Sequence, residues 1–182
     1  MKISVYIAVS LDGYIARADG GLDWLPQPGD PGIDPDEDYG YAAFMADVDT
    51  LVMGRNTFET VLGFGVEWPY EGTPLVVLSN RPVTIPPELT GKVSAMGGTP
   101  AEIAAALAAQ GVQHIYLDGG VTIQAFLRAG LVDEMIITTI PVLLGDGLPL
   151  FGPLDEDIRL QHRETRAWAN GMVQSHYEIK PT

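Results

Sequence analysis

Three short segments of the chain could bind phosphate, because each places glycine, arginine or hydroxyl side chains directly after an apolar run. They are Gly54-Arg55, Ser79-Asn80-Arg81 and Asp118-Gly119-Gly120. Glycine lets a phosphate approach the backbone, and the free N–H groups at a helix start attract anions. Arginine binds phosphate through two parallel hydrogen bonds. Taken singly, each segment is also typical of a tight turn or a surface charge, so the prediction depends on their common arrangement.

The segment after Leu78 suits NADPH better than NADH. A site for NADH places an acidic residue where it can bind the ribose 2′-hydroxyl. Here Ser79, Asn80 and Arg81 follow the apolar run instead. Hydroxyl, amide and guanidinium groups match a 2′-phosphate, so the sequence favours NADPH.

A carboxylate near the start of a predicted helix is the candidate catalytic acid. Asp34, Pro35 and Glu37 form a capping box, which predicts a helix beginning there. Its buried stripe would contain Tyr41, Phe44, Met45 and Val48. Asp38 falls on the same stripe, whereas Asp36 falls on the outer face.

A carboxylate on the apolar side of a helix is unusual, so Asp38 is predicted to be a site residue. The helix N-terminus favours the anion, so we expect burial to raise the pKa of Asp38 only when substrate and the Arg17–Trp24 loop exclude water. Glu37 also leans inward and stays open as the inward carboxylate. The alternative is that Asp36, Glu37 and Asp38 only complement the helix dipole.

Apolar runs and helical patterns alternate along the chain. Strands are predicted at Ile3–Val9, Leu51–Gly54, Leu75–Leu78, Lys92–Met96, Ile115–Leu117, Leu131–Val142, Arg159–Trp168 and Met172–Lys180. Asn56 with Glu59, and Thr99 with Glu102, are predicted to cap two of the intervening helices. Asn170-Gly171 is typical of a β-hairpin turn. The order predicts an α/β fold, with a mostly parallel twisted sheet, helices on both faces and a C-terminal antiparallel hairpin.

Composition limits the partners. The 182 residues fit one domain, residues 1–182, and a net charge of −14 argues against nucleic acid and anionic membranes. No apolar stretch reaches the about 18 residues that a membrane span needs. The chain has no cysteine, and its three histidines lack metal-ligand spacing, so no metal site is expected. The absence of cysteine is compatible with a cytoplasmic protein.

The motifs together resemble the dihydrofolate reductase superfamily over nearly the full length. Val52-Met53-Gly54-Arg55 with Thr57, then Val77-Leu78-Ser79, then Gly119-Gly120 resemble its NADPH motifs in order and spacing. Within it, the reductase domain of bacterial riboflavin biosynthesis is the closer match. The residues that carry this match are Ser10-Leu11-Asp12-Gly13, Gly130–Glu134, Pro141 and Leu144–Gly147.

The resemblance implies NADPH binding and hydride transfer to a pterin-like or pyrimidine-like molecule. It implies cofactor contacts at Ala8, Ile15, Gly54, Arg55, Thr57, Leu78, Ser79, Asn80, Arg81, Leu117, Gly119, Gly120, Val121 and Thr122. It implies a substrate pocket at Trp24, Tyr41 and Ala42, with Trp24 closing a mobile loop from Arg17, and it selects Asp38 as the acid. Related domains are commonly dimers, so a two-fold homodimer through the C-terminal strands or their neighbours is expected.

The sequence also departs from this family. Asp118 stands where a small residue is expected before the glycines, and Val121 replaces an arginine common in folate reductases. No arginine is recognisable as the clamp for a folate tail. Two other readings stay open: a nucleotide-binding protein without turnover, and a true dihydrofolate reductase.

Overall fold

The computed structural model describes residues 1–27 and 29–180. Their strands form an eight-stranded sheet in the order β5-β4-β3-β6-β1-β7-β10-β9, and a two-stranded sheet of β2 and β8. The elements are β1 Lys2–Ser10, β2 Tyr14–Ala16, α1 Tyr41–Met45, β3 Thr50–Gly54, α2 Arg55–Gly63, β4 Leu75–Leu78, a 3₁₀ turn Pro87–Leu89, β5 Val93–Met96, α3 Pro100–Ala109, β6 His114–Asp118, α4 Gly120–Arg128, β7 Glu134–Ile140, β8 Leu148–Pro149, β9 Leu160–Ala167 and β10 Val173–Ile179. The chain divides into two compact units.

Unit 1 comprises Met1–Ser4 and Val48–Val132. Its strands β3, β4, β5 and β6 pair in parallel. Their apolar side chains are almost all buried, as parallel strands covered on both faces require. The connection through α2 runs from β3 to β4, and the connection through α3 runs from β5 back to β6. Right-handed crossovers in opposite directions place α2 and α3 on opposite faces of the sheet, which confirms the predicted fold class.

Unit 2 comprises Val5–Asp47 and the chain from Asp133 onward. Here β10 pairs antiparallel with both β7 and β9. The Trp168 N–H donates to the Met172 carbonyl across the turn, and Gly171 has a φ of 86°. This confirms the hairpin that Asn170-Gly171 predicts. The short β2–β8 pair joins Tyr14–Ala16 to Leu148–Pro149, and both lie outside the strands that the sequence predicts.

The predicted helix from Asp34 to Val48 is mostly wrong. Only Tyr41–Met45 is helical, and Gly40 with a φ of 87° is its N-cap. Asp34 accepts instead from the Asp36 N–H, so no capping box forms. A helix cannot pass through consecutive residues with positive φ, and Tyr39 at 58° precedes Gly40. The predicted stripe is half-buried, as the four apolar side chains Tyr41, Phe44, Met45 and Val48 show.

The two other capping boxes differ in outcome. Thr99 accepts from the Glu102 N–H while the Glu102 carboxylate accepts from the Thr99 N–H, which confirms that box. The Asn56–Glu59 box is wrong, because the N-cap of α2 is Gly54, two residues before Asn56. Glu59 pairs with Arg55 at 3.5 Å instead.

Candidate functional site

The ends of β3, β4 and β6 meet at one edge of the sheet in unit 1. Gly54 is in register with Leu78, and Met53 with Asp118. The three candidate phosphate segments therefore follow neighbouring strands, as the sequence predicts. Helices α2 and α4 begin at this edge, at Arg55 and Gly120.

Two glycines allow the starts of α2 and α4 to approach each other. A Cβ atom added to Gly54 would lie 2.9 Å from the Thr122 hydroxyl, and one added to Gly119 would overlap the Thr57 hydroxyl. Gly119 also has a φ of 89°. Gly119 therefore requires glycine, and a Cβ at Gly54 would force the Thr122 hydroxyl to shift. The four residues form a reciprocal packing that we call the glycine cradle: Gly54, Thr57, Gly119 and Thr122.

The glycine cradle leaves helix N–H groups without a capping side chain. The N-cap residues of α2 and α4 are Gly54 and Gly119, which have none to offer. In contrast, α3 in the same unit is capped by Thr99 and Glu102. The first N–H groups of a helix need a partner, and an anion supplies one that the helix dipole favours. The geometry of this edge suits a phosphate.

The remaining predicted cofactor residues of unit 1 differ in exposure. Asn80 and Arg81 are exposed, and the Ser79 hydroxyl donates to the Arg81 carbonyl at 2.8 Å. Val121 is 80% exposed, whereas Leu117 is fully buried in the core. Leu117 can therefore shape the edge only through its backbone.

Asp118 precedes the glycines and is half-buried. Its Oδ1 accepts from the Gly119 N–H at 2.7 Å. Burial raises the pKa of Asp118 to about 6, and the hydrogen bond from Gly119 opposes that rise. The carboxyl thus takes up an N–H group at the edge where an anion would otherwise bind.

In unit 2, the predicted site residues lie on β1, β2 and the segment that follows. Ala8 and Ile15 are half-buried. The Trp24 indole Nε1 is buried and has no hydrogen-bond partner within residues 1–27 and 29–180. Arg17 donates two hydrogen bonds to Asp23, at 2.6 and 2.8 Å. That pair closes the loop that leads to Trp24.

Asp38 is exposed, so the prediction that it lies inward is wrong. Its two carboxylate oxygens accept from the Gly40 and Ala42 N–H groups, each at 2.8 Å. These hydrogen bonds, the one from Ala42 first, hold the pKa of Asp38 below its ordinary value. Asp38 caps α1 from two residues before the N-cap. Tyr41 and Ala42, the predicted pocket residues, form the first turn of that helix.

Glu37 is the inward carboxylate. It is half-buried, and its Oε1 accepts from the Tyr39 N–H at 2.7 Å. Its Oε2 accepts from the Trp168 indole at 2.9 Å. The sequence leaves Asp38 and Glu37 as alternatives for the inward carboxylate. The choice depends on Trp168, which is 131 residues from Glu37.

The turn that carries Asp38 is held by residues that sequence reasoning does not identify as site residues. Tyr6 and Gln174 both donate to the Tyr39 carbonyl, and Asn170 donates to the Tyr39 hydroxyl. Asn170 is predicted only as a turn residue. No sequence signal marks Tyr6 or Gln174, since their role depends on long-range pairing.

Asp12 links two of the motifs that carry the family resemblance. It belongs to Ser10–Gly13 and binds the backbone of Leu144–Gly147. It accepts from the Ser10 hydroxyl at 2.6 Å, the Leu144 N–H at 3.1 Å and the Gly145 N–H at 2.7 Å. These donors, Ser10 first, lower the pKa of Asp12 to about 2. The motif Ser10–Gly13 therefore has a structural role, which is to hold the loop Leu144–Gly147.

The ring of each histidine has a side-chain hydrogen-bond partner. These partners are Ser4 for His114, Thr165 for His162 and Glu134 for His176. In the part of the chain that the structure describes, His, Asp and Glu side chains nowhere form a group of three that could hold a metal ion. Among those same residues, no helix combines the length and apolar character that crossing a bilayer requires.

Comparison with known proteins assigns the family. The family model described as the RibD C-terminal domain matches residues 1–174. YwjB of Bacillus subtilis (strain 168), itself named an uncharacterized protein, is 34% identical over 177 residues, which are 97% of this chain and 97% of YwjB. A crystal structure from Shewanella sp. PV-4, described as a candidate riboflavin biosynthesis protein, is 43% identical with a TM-score of 0.89, and the match covers 100% of both chains.

Dihydrofolate reductase from Enterococcus faecalis, in complex with NADP(H) and RAB-propyl, is 19% identical with a TM-score of 0.67. The match covers 99% of this chain and 97% of that enzyme, and it shows the fold alone. The molecule thus has a dihydrofolate reductase-like fold. It belongs to the RibD C-terminal domain family, which is a family of reductases. Both levels of the resemblance drawn from the motifs are confirmed.

Proposed function

We propose that this protein is an NADPH-dependent reductase of a pterin-like or pyrimidine-like small molecule, akin to the reductase of riboflavin biosynthesis. One observation carries the cofactor half of the proposal. Two helices of unit 1 begin side by side with glycine N-caps, whereas α3 is capped by its own side chains. NADPH, when bound, supplies the hydride.

The residues that would hold NADPH divide by chemistry. The N–H groups after Gly54 and Gly119 suit the pyrophosphate, because they are the uncapped starts of α2 and α4. Arg81 and Arg55, with the hydroxyl of Ser79, suit the 2′-phosphate. Ala8 and Ile15 are proposed to border the nicotinamide, as the family resemblance implies. Use of NADPH accords with a cytoplasmic location, which we propose with the cofactor.

Asp38 is proposed as the group that assists protonation of the substrate. Hydride addition to the carbon of a C=N or C=O bond leaves its electron pair on nitrogen or oxygen, which must gain a proton. With its pKa lowered, Asp38 is ionised at neutral pH. The ionised carboxylate has no proton to give, so a solvent water supplies the proton and is left as hydroxide, and Asp38 stabilises the protonated substrate nitrogen through its negative charge. Tyr41, Ala42 and Trp24 are the proposed neighbours of the substrate.

Single-turnover oxidation of NADPH against a panel of pterins and aminopyrimidines tests this function. We expect at least one member of the panel to oxidise NADPH, and we expect Asp38→Asn to keep cofactor affinity and lose turnover. Asp36→Asn is the matched control, since Asp36 is exposed and lies two residues away. Cofactor binding without oxidation by any member would favour a binding protein instead. If Asp38→Asn turns over an identified substrate at the parent rate, the role of Asp38 is wrong.

We further propose that the protein forms a homodimer. The segment that enters β9 exposes four large apolar side chains, each more than 40% accessible: Leu148, Phe151, Leu154 and Leu160. Strand β9 is at the edge of the sheet but presents charged side chains, which disfavour pairing of two edges. The apolar segment is therefore the better interface. Light scattering at micromolar concentration is expected to show a dimer that the double substitution Phe151→Ser and Leu154→Ser converts to a monomer.

A further inference from the structure

Tyr39 is held in a backbone conformation that an aromatic residue seldom adopts. Its φ is 58°, the one positive value at a non-glycine residue within residues 1–27 and 29–180. The left-handed conformation is unfavourable for a residue with a Cβ atom, because that atom comes too close to the following carbonyl oxygen. Gly40 follows with a φ of 87°, so the chain turns left-handed at two residues in succession. Surrounding contacts must offset that cost.

The Tyr39 carbonyl is fixed by two side chains from β1 and β10. The Tyr6 hydroxyl donates to it at 2.7 Å, and the Gln174 Nε2 at 3.2 Å. A carbonyl only accepts hydrogen bonds, so the Gln174 amide must present its nitrogen to Tyr39. The same nitrogen lies 3.0 Å from the hydroxyl of Thr138, its partner across the strands. Gln174 therefore joins the antiparallel sheet to the turn.

The rest of Tyr39 is held by the end of the β9–β10 hairpin. Asn170 Nδ2 donates to the Tyr39 hydroxyl at 3.1 Å. The Trp168 ring meets the Tyr39 ring edge-on, with centroids 5.1 Å apart. The Trp168 indole binds Glu37, whose other oxygen accepts from the Tyr39 N–H. Every polar group of Tyr39 thus has a partner.

This arrangement determines where the Asp38 carboxylate finds its donors. Its two oxygens accept from the Gly40 and Ala42 N–H groups, which lie beyond Tyr39 in the chain. If Tyr39 returned to a negative φ, the peptide that carries the Gly40 N–H would rotate away. We propose that Gln174 and Tyr6 are positioning residues that hold the Asp38 carboxylate in place through the Tyr39 carbonyl.

Carbon-13 and nitrogen-15 NMR of the full chain without substrate tests the proposal. The variants are Gln174→Leu, Tyr6→Phe and the two together. Tyr6→Phe keeps the ring that packs against Tyr41 and Phe44, so it is the safer variant for folding. We expect the pKa of Asp38 to rise toward its ordinary value, most in the double variant, because the Gly40 and Ala42 hydrogen bonds weaken. Amide exchange at those two residues should quicken about tenfold or more.

Matched controls separate positioning from general loss of stability. Gln161→Leu and Tyr177→Phe make the same chemical changes on the same hairpin, away from Tyr39. We expect both controls to leave the Asp38 titration and the exchange at Gly40 and Ala42 unchanged. The proposal is overturned if the double variant also leaves them unchanged, or if the controls shift them equally.

The inference bears on the proposed function but fails separately from it. If Asp38 proves to have no part in turnover, the titration shift in the Gln174 and Tyr6 variants would still stand. Conversely, an unmoved Asp38 titration would leave its chemical role open to the turnover experiment.

Discussion

Asp118 in unit 1 and Asp38 in unit 2 both accept a backbone N–H, yet their pKa values move in opposite directions. Asp118 has one such donor and is half-buried, and burial raises its pKa to about 6. Asp38 has two donors and is exposed, and those donors lower its pKa. Desolvation dominates in the first case and hydrogen bonding in the second. The position of a carboxylate beside a turn therefore does not determine its charge, since access to water and the number of donors do.

The two units also differ in how their helix starts are shaped. In unit 1 the glycine cradle packs Gly54 against Thr122 and Gly119 against Thr57, pairs that are 68 and 62 residues apart in the sequence. In unit 2 the Tyr39 carbonyl, just before α1, accepts from Tyr6 and Gln174, which are 33 and 135 residues away. Both arrangements are long-range, but the first depends on close packing at glycine and the second on hydrogen bonds from polar side chains.

Gly119→Ala should have the largest effect. A Cβ at this position meets both a φ of 89° and the Thr57 hydroxyl, so we expect loss of measurable NADPH binding and a fall in the free energy of unfolding of more than about 2 kcal/mol. Gly130→Ala, at a φ of 66° with open space around it, is the control and should cost about 1 kcal/mol. Calorimetry and urea unfolding measure the two quantities. Equal effects in both variants would show that the glycine cradle is not specially packed.

Asp118→Asn should stabilise the protein at high pH. The pKa of Asp118 is raised from 3.8 to about 6, so the folded state binds its proton more tightly, and stability falls as the pH rises from about 4 to about 6. That pKa difference corresponds to about 3 kcal/mol. Asparagine removes the charge and can still accept from Gly119, so we expect a gain approaching that value at about pH 8 and little change at about pH 4.

Asp38→Asn should have the opposite sign, which makes it the natural comparison for Asp118→Asn. The lowered pKa of Asp38 means that its contribution to stability is present above the ordinary carboxyl pKa and is lost as the pH falls. Urea unfolding across pH compares the variants. If Asp118→Asn and Asp38→Asn both destabilise at neutral pH, the contrast between the units is wrong.

Asp12→Asn should weaken the loop Leu144–Gly147. The pKa of Asp12 is lowered from 3.8 to about 2, so its stabilisation is complete above the higher value and disappears as the pH falls through the lower one. We expect a loss of stability at neutral pH that vanishes in strong acid, together with faster proteolysis of this loop. Asp146→Asn is the control, because Asp146 bonds only to the adjacent Gly147. An equal loss in the control would remove the special role of Asp12.

Arg81→Gln should have the smallest effect. Arg81 is exposed, so its pairing with a 2′-phosphate is worth less than about 1 kcal/mol and weakens with salt. The parent should bind NADPH more tightly than NADH, and the variant should reduce that preference without changing NADH binding. Arg128→Gln, another exposed arginine of unit 1, should change neither. Equal dissociation constants of the parent for both cofactors at low salt would contradict the choice of NADPH.

Local patterns in the sequence determined most of the fold and the phosphate edge. The strands from Thr50 to Asp118, the Thr99–Glu102 capping box and the Asn170-Gly171 hairpin are all where those patterns predict them. Each depends on residues close together in the chain, through burial periodicity, capping or turn geometry. The glycines that precede α2 and α4 are also visible in the sequence, whereas their packing against Thr122 and Thr57 is not.

Contacts between distant parts of the chain determine the conformation of the turn that carries Asp38. The spacing of apolar residues predicts a helix from Asp34. Tyr39 and Gly40 have positive φ instead, so α1 begins at Tyr41. The partners that hold Tyr39 and Glu37 lie on β1 and at the hairpin, up to 135 residues away. Which carboxylate faces inward, and the direction in which the pKa of Asp38 moves, depend on those partners and on access to water. Neither can be read from a window of neighbouring residues, because both arise only when distant strands bring their side chains together.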